Sequence, residues 1–197
     1  MTLLTLASQS AIRKALLTAA GLDFEAISSG VDETPIKAQM LAQGASPAQV
    51  ASRLAEAKAL AVSAVRPGLV IGADQTLDLE GVLYDKAEDM AQARARLLSL
   101  RGRPHQLQGA VALVEDGVVV WRTLSTNTLV VRDFSDAFLD AYLARWGEGL
   151  LNSVGCYELE AGGVQLFERI EGDYFAILGL PMLDLLAALR ERGALAA

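Results

Sequence analysis

Four small groups of polar residues interrupt an otherwise apolar sequence: Ser8, Ser10 and Arg13; Asp32 and Glu33; Arg53 and Lys58; and Asp74 and Gln75, followed by Lys86. Hydroxyls, a guanidinium and ammonium groups are the side chains that hold phosphate oxygens. A pair of carboxylates, Glu33 and Asp74, can hold a divalent metal and activate a water, and the combination is the division of labour that phosphoryl chemistry requires. Each group also has an ordinary alternative. Ser10 can be a plain helix cap with Arg13 solvated, Lys58 a solvated helix residue, Asp74 a turn former, and Asp32-Glu33 a polar loop.

The elements that must position these residues can be read from periodicity and punctuation. Leu4 to Leu6 reads as a strand, Ala7 to Ser10 as a hydroxyl-rich turn, and Ser10 caps a helix that passes Leu16 and Leu17 and stops at Gly21. The first turn of such a helix offers unpaired N–H groups and a positive dipole end, which suit an anion. Phe24 to Ile27 alternates like a short strand, and Ser28 to Pro35 reads as a loop carrying the two acids. Ser46-Pro47-Ala48-Gln49 has the form of a capping box, and a helix with Val50, Leu54, Ala57 and Leu60 on one face runs to about Val65. Leu69 to Ala73 is a continuous apolar run, expected as a strand buried on both faces that delivers Asp74-Gln75 at its end, the place where open α/β sheets bind ligands.

Downstream, Thr76 to Tyr84, broken by Glu80-Gly81, reads as a hairpin, and Glu88 to Leu100 as a helix. Gln108 to Val114 and Val118 to Val131 flank the turn dipeptide Asp116-Gly117 and predict a long hairpin. Ser135 caps a helix carrying Phe138, Leu139, Tyr142 and Leu143. Gly155 to Gly163 is a polar, glycine-rich segment with Glu158 and Glu160, Val164 to Ile170 reads as a strand, and Gly179-Leu180-Pro181 opens a last helix ending at Gly193.

Composition narrows the setting. A chain of 197 residues, 52% of them hydrophobic, can bury a core of its own. No apolar run approaches the length of a membrane span, and no secretory leader is evident, so a cytoplasmic location is expected. Cys156 and His105 are single, which removes a disulfide and any cysteine-cluster metal site. With 24 acidic against 17 basic residues and no basic tract, extensive nucleic-acid binding is not expected.

Taken together, Ser8-x-Ser10-x-x-Arg13, Asp32-Glu33, Arg53-Leu54-Ala55-x-x-Lys58-Ala59, Gly72-Ala73-Asp74, Gly155-x-Tyr157 and Glu171-Gly172-x-Tyr174 through Gly179-Leu180-Pro181 resemble the Maf family of nucleoside triphosphate pyrophosphatases. The resemblance spans nearly the whole chain. It implies an α/β fold, a curved mixed sheet forming residues 1–197 into one domain of two lobes around a deep cleft, commonly as a homodimer. It also implies a reaction that releases a nucleoside monophosphate and pyrophosphate with Mg2+ or Mn2+. Carried over by position, Asp74 would be the general base and a metal-site carboxylate, with Glu33 the second metal-associated acid, and Ser8, Ser10, Arg13, Lys58 and Lys86 would contact phosphates.

Gln75 after the aspartate, Glu160 and the segment Val31 to Pro35 resemble the group acting on 7-methyl-GTP, with Gln75 and Glu160 as base-specificity residues. A carboxylate accepts hydrogen bonds only, and the guanine edge presents N1–H and N2–H side by side. Glu158, two residues earlier, is the alternative reader. Three departures from the family pattern stand out: Ala11-Ile12 before Arg13, Asp85-Lys86-Ala87 where Gly-Lys-Pro is usual, and Ala161 to Val164 after Glu160. The competing readings are a dTTP/UTP pyrophosphatase, suggested by Tyr157 and Gly172-Asp173-Tyr174, and a nucleotide-binding cell-division regulator without turnover.

Overall fold

In the computed structural model, which describes residues 3–196, the other elements assemble around one long strand, β3 (Leu69–Leu79). Along one edge it is paired continuously with antiparallel β5 (Pro104–Glu115), from Leu69 opposite Glu115 to Asp78 opposite Gln106. Along the other edge its partners change. The parallel strand β1 (Leu4–Leu6) covers only Leu69 to Ile71, and antiparallel β4 (Val82–Tyr84) covers only Leu77 to Leu79. Between them, the edge from Gly72 to Thr76 faces a gap.

The sheet is completed by β2 (Glu25–Ala26) beside β1, and by β6 (Val118–Val131) and β7 (Phe167–Glu171) beyond β5. Among the described residues this is a single open mixed sheet of seven strands, and with seven α-helices it meets the expected mixed α/β architecture. The Asp116-Gly117 turn joins β5 to β6, with Asp116 and Gly117 both at positive φ.

Successive residues of β3 point to opposite faces. Val70 and Gly72 meet α3 (Pro47–Ser63), Val70 packing with Ala59 and Val62, and the Thr76 hydroxyl donates to Pro47 O at 3.0 Å. Gly72 is required there, because a Cβ would lie 2.1 Å from Ala55 O. On the other face Ile71 and Ala73 join a core with Leu17 of α1 (Ala11–Ala19) and with Leu185 and Leu189 of α7 (Met182–Glu191). A second large core collects Leu77, Leu107 and Leu129 under α4 (Met90–Leu100) and α5 (Asp136–Trp146), through Leu97 and Leu100 of α4, Leu139 of α5 and Phe134 just before α5.

The predicted capping box opens α3, with Ser46 and Gln49 reciprocally bonded and Pro47 in the first turn. Three expectations need correction. Asp74-Gln75 does not end its strand: the ladder with β5 continues past it, so the pair lies in mid-strand at the gap. The segment read as a loop is one only from Ser28 to Asp32: Glu33 to Pro35 already form the first turn of helix α2 (Glu33–Ala42), capped by Asp32. It buries no residue, so periodicity could not reveal it, and Pro35 sits in the first turn, where its missing N–H costs nothing. Val164 to Ile170 is divided between a 3-10 turn (Gly162–Leu166) and β7, since pairing with β6 begins only at Phe167.

Two short elements were not anticipated from the sequence, a 3-10 helix (Gly147–Asn152) and the five-residue helix α6 (Tyr174–Leu178) capped by Asp173. Among the described residues no helix is long and apolar enough to cross a membrane.

Candidate active site

The gap in the β3 edge is filled from the turn after β1. Ser10 caps α1 by accepting from Arg13 N at 3.4 Å, and the Ser8 hydroxyl accepts from Ser10 N at 3.2 Å. Both hydroxyls and the helix start therefore lie beside mid-β3. Arg13 folds back into the gap, where its Nη1 donates to Ala73 O at 2.9 Å and lies 3.5 Å from Ser8 Oγ, and its Nε donates to Gly179 O at 3.1 Å. Burial lowers the Arg13 pKa, and the carboxylates of Asp74 and Glu33 oppose that shift.

Asp74 emerges from β3 toward α3 and meets Lys58, whose Nζ lies 2.6 Å from Asp74 Oδ1 and 2.7 Å from Glu33 Oε1. The position of Lys58 follows from the Gly72 contact, which draws α3 close to the strand. Glu33 arrives on the first turn of α2 and is shared with Lys37, at 3.0 Å from its Oε2, while Lys37 Nζ also reaches Asp85 Oδ1 at 2.6 Å. The result is an alternating chain, Asp85, Lys37, Glu33, Lys58, Asp74, leading from an exposed loop to the buried strand.

Electrostatics separate the two acids. Burial pushes the Asp74 carboxyl up, against the downward pull of Lys58 and Arg13. Burial also acts upward on Glu33, but Lys58 and Lys37 outweigh it and hold this carboxyl at about 2. Lys37 is raised, since Asp85 and Glu33 outweigh its own burial. Three carboxylates thus face three cations, Arg13, Lys37 and Lys58.

The structure therefore brings together Ser8, Ser10, Arg13, Glu33, Lys58 and Asp74. Lys86 is exposed and in no ion pair among the described residues. Asp85 beside it is engaged by Lys37 instead. Sequence reasoning missed Lys37, although its i,i+4 spacing to Glu33 would have marked it had helix α2 been recognised. Glu160 is exposed just before the Gly162–Leu166 turn, with no side-chain hydrogen bond or ion pair to Asp74 or Gln75. Glu158 instead lines a small cavity with Tyr142 and Trp146. Gln75, next to Asp74 in the chain, leaves the strand on the other face, and its amide is bonded to α6.

A serine-rich turn that opens a helix, an arginine seated against the strand edge and a lysine between two carboxylates therefore converge beside mid-β3 on an α/β scaffold. The comparison with known proteins gives the family. Residues 3–192 match the family described as Maf-like protein. A nucleoside triphosphate pyrophosphatase of Caulobacter vibrioides is 58% identical over 195 residues, 99% of this chain and 98% of the relative. A 7-methyl-GTP pyrophosphatase of Rhizobium meliloti is 54% identical over 98% of each chain, and one of Mesorhizobium japonicum 51% identical over 96% of each. The chain belongs to the Maf family.

Proposed function

We propose that this protein is a nucleoside triphosphate pyrophosphatase that cleaves the α–β phosphate bond, releasing a nucleoside monophosphate and pyrophosphate, with 7-methyl-GTP as its preferred class of substrate. The observation that carries the reading is Lys58 bridging Asp74 and Glu33 beside the Ser8–Arg13 turn, in a chain whose relatives bear these enzyme names.

In the mechanism, the hydroxyls of Ser8 and Ser10, the N–H groups opening α1 and the Arg13 guanidinium grip the triphosphate. Lys86 reaches the leaving pyrophosphate from its exposed loop and offsets the charge that develops there. Asp74 takes the proton of the attacking water. Its burial-raised carboxyl is a better base than an ordinary surface aspartate, while Glu33, held ionised by two lysines, stays an anion throughout. Glu160 accepts hydrogen bonds from the guanine N1–H and N2–H.

Three cations already balance three carboxylates, so an incoming triphosphate brings unmatched negative charge. Among the described residues no cluster of three or more potential ligands is present, and two carboxylates with substrate oxygens are a donor set suited to Mg2+ or Mn2+. Glu33 and Asp74 would hold such a cation. When bound, it would supply charge neutralisation of the phosphates and a more acidic water. A homodimeric state and a cytoplasmic location belong to the same proposal, supported by the family resemblance.

The test is product analysis with purified protein and Mg2+ or Mn2+ across 7-methyl-GTP, GTP, UTP and dTTP. Monophosphate and pyrophosphate in equal amounts, fastest from 7-methyl-GTP, are expected. Diphosphate with inorganic phosphate, or no turnover, overturns the reading, and preference for UTP or dTTP overturns the base assignment.

A further inference from the structure

Gln75 is adjacent to Asp74, yet strand alternation sends the two side chains to opposite faces of the sheet. Asp74 meets Lys58 of α3, whereas Gln75 Nε2 donates to Ala176 O at 3.0 Å and to Ile177 O at 3.1 Å, both in α6. The last carbonyls of a helix lack partners within it, and a five-residue helix is too short to persist by its own hydrogen bonds. One side-chain amide donates to two of these carbonyls, Ile177 O and Ala176 O, the latter also accepting from Gly179 N.

The neighbourhood is shaped for this contact. Gly109 lies directly opposite Gln75 in the β3–β5 ladder, and a Cβ there would stand 2.8 Å from Ser125 Oγ, 3.7 Å from Ala176 O and 3.9 Å from Gln75 Nε2. The N-terminal end of α6 is held from β6, where Asn127 Oδ1 accepts from Asp173 N at 2.9 Å. Gly172 makes room for that contact, since a Cβ there would lie 2.2 Å from Asn127 Oδ1. Just past the other end, Arg13 Nε donates to Gly179 O. Side chains from β3, β6 and α1 thus pin residues 173–179, and Arg13, the guanidinium of the phosphate turn, is oriented partly by the segment that Gln75 fixes.

We propose that Gln75 is a positioning residue: it locks α6 and, through Gly179, the orientation of Arg13, and it does not read the nucleobase. Both donors of its amide are used within the protein, on the face away from Asp74. Removing them frees α6 and loosens the phosphate grip, an effect blind to the base.

The kinetic half of this proposal rests on the pyrophosphatase reading; the structural half does not. The test is the variant Gln75→Met, which keeps length and volume and removes both donors. Amide exchange in the nucleotide-free protein is followed at Ile177, Gly179 and Leu180, whose N–H groups bond to Asp173 O, Ala176 O and Phe175 O. Exchange about tenfold faster at these amides, with core amides of β3 and β5 unchanged, is expected. KM should rise about tenfold and kcat change less than about twofold, equally for 7-methyl-GTP, GTP and UTP. A loss of fold alone would reduce the active fraction and leave KM untouched.

Unchanged exchange overturns the proposal. So does a shift of about tenfold or more in the ratio of kcat/KM between bases, the signature of a residue that touches the base. If Gln75→Met does not fold, Gln75→Asn, one methylene short of the carbonyls, is judged by the same exchange criterion. Absence of turnover by the parent protein would sink the pyrophosphatase reading while the exchange measurement still decides the lock.

Discussion

Lys58 Nζ stands 2.6 Å from Asp74 Oδ1, joining α3 to the middle of β3 at a point where both side chains are nearly removed from solvent. A buried pair of this kind is unequal in its two deletions. Lys58→Met leaves a buried carboxylate without its nearest cation and should cost about 3 kcal/mol at neutral pH. Asp74→Asn leaves Lys58 with Glu33. Urea denaturation of the two variants should rank them in that order, and equal stabilities would refute the inequality.

For activity the ranking reverses. Asp74→Asn should lower kcat by about three orders of magnitude, while nucleotide binding measured without a divalent cation is retained, as expected when a base is lost. Because burial raises the Asp74 carboxyl, the acid limb of the kcat profile should lie above the ordinary aspartate range. Single-turnover rates against pH provide the check, and a profile flat through the weakly acidic range would remove Asp74 from the proton transfer.

Lys86 is the one proposed phosphate contact with no partner to lose among the described residues. Lys86→Ala should therefore leave the melting temperature unchanged within about 1 °C. KM for the triphosphate should rise about tenfold, and the rise should shrink in high salt. An unchanged KM would take Lys86 out of the site.

Gly72→Ala tests the approach of α3 to β3. Its Cβ would fall 2.1 Å from Ala55 O and 2.7 Å from the Ala59 Cβ, neither at the end of a flexible chain. A loss of about 3 kcal/mol in stability is expected, with turnover falling in the folded fraction because Lys58 rides on the displaced helix. A stable, fully active variant would show that the helix adjusts without moving Lys58.

His105 sets the pH dependence of stability in the second core. Burial holds its pKa at about 4, below the ordinary 6.5, with Nε2 2.7 Å from the Tyr157 hydroxyl and Nδ1 without a hydrogen-bond partner among the described residues. The unfolded chain takes up this proton first, so the contribution is complete above pH 6.5 and is lost as pH falls toward 4, by about 3 kcal/mol. Glu33, held at about 2, loses its contribution in a lower window, as pH falls from about 4.5 to 2. Urea midpoints for the parent and for His105→Gln should converge between pH 6.5 and 4, and parallel curves would exclude His105 as the source.

Local signals were legible wherever the chain's own chemistry sufficed. The Ser46 capping box, the Ser10 cap and the Asp116-Gly117 turn are made within a few residues of sequence, and each forms as expected. Helix α2 was not legible because it buries nothing, and α6 because its length is below what a helix can sustain unaided. Glu33 and Asp74 could be nominated by residue type. Lys37 was missed with helix α2, on which its i,i+4 spacing to Glu33 depends, and its second contact, with Asp85, spans 48 residues.

The sequence by itself nominated two acids, two serines, an arginine and two lysines, in an order shared with the Maf family; the structure brings all of these together except Lys86 and adds Lys37. Only the tertiary structure decided how that inventory is divided. Because β1 covers just three residues of β3, a gap opens that admits Arg13. Because alternate residues of a strand face opposite ways, Asp74 goes to Lys58 and its neighbour Gln75 goes to α6. Adjacent letters in the sequence end on two sides of a sheet, and that separation is a property of pleated backbone rather than of either residue.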